Sequence, residues 1–189
     1  VGGAGGDPLG GHAIKGKAFI LRMSEGGGVQ WIKRYGIIDT PNNTFWGVVE
    51  ADDGGFVLAG EKLQDRNFEF YDHFWVMKTD AYGDEEWSIE SGGNLWDEAQ
   101  DIVKLSDDSY IVTGKTSLSS TNLNMKVMRV SSSGQILWQN NHGGGNNDTA
   151  TGITLSQNEE MVAIVGYTRS SSGSSFKYRI WGCLLYTSP

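Results

Sequence analysis

The residues able to do chemistry in this 189-residue chain are few and scattered. Three histidines, His12, His73 and His142, stand far apart, and no two share metal-ligand spacing with a carboxylate between them. A single cysteine, Cys183, excludes an internal disulfide and a cysteine-based zinc site. Acid pairs recur at Asp52/Asp53, Asp107/Asp108 and Glu159/Glu160. A calcium loop needs oxygen ligands at alternating positions around a glycine, whereas adjacent acids suit a tight turn. Gly-x-Ser-x-Gly is absent, and Gly26-Gly27-Gly28 separates two strand-like runs instead of opening a helix. No catalytic residue, metal or cofactor is expected from these patterns. One stretch stands apart. Residues 61–73 (EKLQDRNFEFYDH) set Phe68, Phe70 and Tyr71 beside Arg66 and Asp72. Aromatic faces with charges at their rim can hold a sugar or a peptide, so these five are the candidate binding residues.

The elements that would position them come from a repeat. Trp31, Trp87 and Trp138 each follow a glycine by four residues (Gly27, Gly83, Gly134) and precede another by five (Gly36, Gly92, Gly143). The tryptophans lie 56 and 51 residues apart, a period that signals a repeat architecture. Each unit reads as four strands. Strand a covers 45–51, 99–105 and 150–155, and an acidic tip leads to strand b at 56–60, 110–114 and 162–166. Every strand b closes on glycine, at Gly60, Gly114 and Gly166. Connectors at 61–73, 115–124 and 167–175 lead to strand c at 74–79, 126–130 and 176–180. A glycine turn then opens the tryptophan-bearing strand d. Short strands repeating in sets of four are antiparallel meanders, and meanders repeated about an axis make a β-propeller. Each tryptophan ring buries on the order of 200 Å², which gives these residues a structural role between blades.

The expected fold is therefore all-β, a partial propeller of about three blades. It comprises a half blade at 1–36, blades at 37–93 and 94–145, and a partial blade at 146–182. Residues 183–189, CLLYTSP, resemble the translation of a sequencing adapter and are expected to be a non-native tail, with further blades completing the ring. The formal charge of −8 argues against nucleic acid or an anionic membrane as partner. Apolar runs reach only four or five residues, so no membrane insertion is expected.

The segment Asp80-Ala-Tyr-Gly83-Asp-Glu-Glu-Trp87 resembles the tryptophan-docking motif of quinoprotein-like propellers. The fuller repeat is similar to that of secreted multi-repeat propeller proteins of bacteria and protists. The family motif carries Thr before its Gly, where this chain has Gly26, Tyr82 and Ser133. The resemblance implies a module of a larger secreted or cell-surface protein, binding a protein or glycan through its loop face. It also leaves open a piece of a propeller enzyme, quinoprotein-like or glycosidase-like, with its active site in other blades.

Overall fold

A computed structural model describes residues 3–4, 17–36, 43–66, 69–93, 95–145, 147–172 and 175–186, and every regular element among them is a strand. The first sheet holds β1 (Gly3–Ala4), β2 (Ala18–Met23) and β3 (Val29–Tyr35). The second is β4 (Thr44–Glu50), β5 (Phe56–Arg66), β6 (Glu69–Thr79) and β7 (Glu85–Ser91). The third is β8 (Glu98–Lys104), β9 (Tyr110–Ser119), β10 (Asn122–Val130) and β11 (Ile136–His142). The fourth contains β12 (Asp148–Leu155), β13 (Met161–Ser172) and β14 (Ser175–Tyr186). In each sheet the strands lie in chain order, antiparallel to their neighbours. β8 packs against both β4 and β12, so the first strands of successive sheets stand side by side. This is an open arc of antiparallel propeller blades, two with four strands and two with three among the described residues.

Three cores hold the arc together, one at each junction between sheets. Ala18 and Ile20 of the first sheet meet Phe45, Leu58, Trp75 and Met77 of the second. Val57, Ala59, Phe74 and Val76 from the other face of the second sheet meet Ile102, Tyr110, Val112 and Met128 of the third. Ile111, Met125 and Val127 meet Ala150, Val162 and Ile164 of the fourth. Successive side chains on a strand point to opposite faces, and here both faces are covered. That is why strand b reads as a continuous apolar run, FVLA or YIV, instead of alternating.

The first strands of the second, third and fourth sheets each carry a β-bulge at the same place. The register slips between Phe45 and Gly47, between Ala99 and Asp101, and between Ala150 and Gly152. The bulge presses the chain onto the partner strand at Gly60, Gly114 and Gly166. A Cβ there would lie 1.9 Å from Thr44 O, 1.9 Å from Glu98 O and 2.0 Å from Thr149 O. Only glycine fits. The turn glycines answer a second demand. Gly27, Gly83 and Gly134 have φ of 79°, 82° and 82°, the left-handed region, and close turns on Ser24, Asp80 and Ser131.

Tryptophan joins these turns to the neighbouring blade. Ring atoms of Trp31 lie 3.0 and 3.1 Å from where a Cβ of Gly83 would stand, and those of Trp87 come within 2.8 Å of the same point on Gly134. The Trp87 indole Nε1 donates to Ser132 O at 3.0 Å, and Tyr35 donates to Gly83 O at 2.6 Å. Trp138 packs at the margin of the core between the third and fourth sheets.

Two expectations are corrected. The connectors at 61–73, 115–124 and 167–175 are not open loops. Strands b and c run on through them as paired arms, to Arg66 opposite Glu69, Ser119 opposite Asn122, and Ser172 opposite Ser175. Arms of matched length satisfy each other's backbone groups, which an open loop leaves to water. The phase of the fourth sheet also differs. Trp75 faces Gly60 and Lys126 faces Gly114, and the residue facing Gly166 is Trp181. Strand c there belongs five residues later than 176–180, and Cys183 to Tyr186 lie in β14.

Candidate functional site

The arms and the connectors that enter each first strand share one end of the blades. Between the second and third sheets this end is cross-linked. Asp97 N donates to Asp72 O at 2.9 Å, and Asp72 and Trp96 form a parallel bridge. Trp96 is 52 % exposed. Its backbone is clamped by one side chain: Trp96 N donates to Ser117 Oγ at 3.1 Å, and Ser117 Oγ donates to Trp96 O at 2.8 Å. The ring is thus presented on a fixed backbone.

Beneath it lie ionisable groups. Asp97 is buried, accepts from Gly93 N at 3.0 Å through Oδ2, and takes the Thr116 hydroxyl through Oδ1. Asn43 and Asp148 occupy its place in the neighbouring repeats, and Asp148 accepts likewise from Gly144 N at 2.8 Å. Glu61 and Lys115 each follow the closing glycine of strand b. Lys115 pairs with Glu98, which is 9 % exposed.

Burial pushes the Glu61 carboxyl up to about 7, helped by the charges of Glu98 and Asp72 and opposed by Lys115 and a Thr44 hydrogen bond. Burial raises Asp72 as well, together with Glu98 and Asp97. Burial pulls Lys115 down, but its hydrogen bond to Glu98 together with the charges of Glu98, Tyr167 and Glu61 outweighs that and the group is raised. A carboxyl pushed up to about 7 can both donate and accept hydrogen bonds near neutrality. Such a group suits sugar hydroxyls or peptide amides.

The five residues singled out from sequence meet different fates. Asp72 joins this site through its bridge to Trp96. Tyr71 is half-buried, and the pleat turns it to the opposite face of β6. Arg66 ends β5 opposite Glu69, and Phe70 lies on β6 opposite Asp65. Phe68 lies outside the described residues. Trp96, Glu61 and Glu98 escaped sequence reasoning. Trp96 had a signal: the other repeats carry Asn42 and Asn147 in its place.

The acidic tips at the opposite end are engaged within the protein. Asp53 pairs with Lys78 and accepts from Gly55 N at 2.9 Å; Asp107 pairs with Arg129 at 2.6 Å. Others tie blade to blade: Asp52 takes Lys104 of the next sheet, and Glu159 accepts from Ser106 N at 2.9 Å. Among the described residues no group of three or more His, Cys, Asp or Glu is placed to hold a metal ion. His73 is buried on β6, and His142 ends β11 half-buried.

No family model matches the chain, and no curated protein matches it. Solved structures do. One is the periplasmic gluconolactonase PpgL of Pseudomonas aeruginosa, with a TM-score of 0.35 and 12 % sequence identity. The match covers 93 % of this chain and 66 % of that one.

Proposed function

We propose that the chain is a run of tryptophan-docking propeller blades from a larger secreted or cell-surface protein, and that its loop face binds a glycan or a protein. The docking part is supported by Trp31 against Gly83 and Trp87 against Gly134. The binding part rests on one observation: Trp96 stands exposed and clamped by Ser117 directly beside Asp72. A rigid aromatic platform orders little on binding, so most of its contact energy reaches the complex. The test is a screen of the chain against immobilised glycans and peptides, repeated with Trp96→Ala. The variant is expected to bind at least about tenfold more weakly, roughly 1.4 kcal/mol, with an unchanged unfolding midpoint. Retention of full affinity rules the reading out.

A second reading, a piece of a propeller enzyme of quinoprotein or glycosidase type, draws support from Glu61. A carboxyl pushed up to about 7 by burial, with Glu98 and Asp72 nearby, has the character of a general acid. Residues of further blades would complete such a site.

A further inference from the structure

At the tip end, opposite the loop face, a cleft of about 360 Å³ opens between the second and third sheets. That volume suits a small ligand or a single inserted side chain. Its lining includes Asp52, Asp53 and Glu86 with Lys78 from one sheet, and Asp108 and Tyr110 from the other, with Trp87 between them. Lys78, 4 % exposed, is held between Asp53 and Glu86. Lys104 pairs with Asp52 and, at 3.2 Å, with Asp108. Four carboxylates thus face two ammonium groups, and the excess is negative. Asp52, Glu86 and Asp108 keep their side chains well exposed at the mouth.

A second observation points inward. Tyr110 is 1 % exposed and lines the cleft, yet its hydroxyl makes no hydrogen bond among the described residues. Buried tyrosines ordinarily find a partner for that group. The hydroxyl is not needed for packing either. The equivalent residue one blade earlier is Phe56, which packs edge-on against Trp31 at 6.2 Å, just as Tyr110 stands near Trp87. Burial raises the Tyr110 phenol, against the nearby Lys104 and Lys78, so the group stays neutral.

We propose that this cleft is a binding site for a monovalent organic cation of side-chain size, of the kind lysine and arginine carry. The aromatic ring of Trp87 would take the cation, the Tyr110 hydroxyl would accept its N–H, and the carboxylates at the mouth would supply the charge. The negative excess disfavours an anion there. Trp87 is fixed for this purpose by its bond to Ser132 O.

The experiment is calorimetric titration of the full chain with acetyl-lysine methylamide, acetyl-arginine methylamide, propylammonium and acetyl-glutamate methylamide. The indole N–H signal of Trp87 is followed in parallel. Saturable binding of the cations, none of the glutamate amide, and a shifted Trp87 signal are expected. Tyr110→Phe, which Phe56 shows to be compatible with the fold, is expected to weaken binding at least fivefold, while Trp96→Ala leaves it unchanged. Propylammonium binding as well as the amides assigns the site to free amines; tighter binding of the amides assigns it to peptide side chains. Absence of saturable cation binding, or a loss of less than threefold in Tyr110→Phe, overturns the proposal.

Discussion

Glu61 carries a charge balance that reaches beyond its own position. An unfolded glutamate titrates near 4.5, and this one titrates near 7 when folded. Between those values the folded chain holds a proton that the unfolded chain has released. Stability contributed by this group is therefore complete below about 4.5 and falls as pH rises through 7. Asp72, also raised, acts in the same direction. The raised Lys115 loses its contribution only in alkali, as pH rises through its own folded value, outside this window. Urea unfolding at pH 5 and pH 8 is expected to show lower stability at pH 8, and Glu61→Gln to flatten the difference. An unchanged slope in the variant would assign the dependence elsewhere. Nothing in the sequence announces this behaviour, because it arises first from the burial of Glu61 and then from Glu98, 37 positions away.

Strands and their bulges explain the glycines that punctuate the repeat. The regular closing glycine of strand b was plain in the sequence, but its cause was not, since the bulge that demands it belongs to the preceding strand. Gly114→Ala drives a methyl group against Glu98 O, a backbone atom held in the sheet, and is expected to cost roughly 3 kcal/mol. Gly93→Ala, with no atom within 4 Å of the new carbon, is expected to stay within about 0.5 kcal/mol. Denaturant unfolding of the two variants side by side checks the contrast; equal losses would refute the bulge argument. The arms show the reverse case. Polar sequences such as KTSLSSTNLN carry no strand periodicity, yet they pair because the strands below them deliver both halves in register.

Across the whole molecule, the order of strands and the blade repeat could be read from the spacing of glycine and tryptophan, but the phase of the last sheet could not. Pairing the apolar run 176–180 with strand b ignored an arm several residues long. With Trp181 facing Gly166, Lys78 and Arg129 correspond to position 184, and Gly83 and Gly134 to position 189. The expectation that residues 183–189 are non-native becomes specific. Sequencing the message should read lysine or arginine at 184, where this chain has Leu184, and glycine at 189, where it has Pro189. A message that encodes CLLYTSP retires the idea. The joints between blades carry a consequence for how such a protein is inherited. Among the described residues two tryptophan plugs seat in the glycine socket of the next repeat, Trp31 at Gly83 and Trp87 at Gly134. An unequal crossover that adds or deletes one such repeat length of DNA therefore leaves a plug facing a matching socket. Blade number can drift in a lineage without any compensating change at the seams.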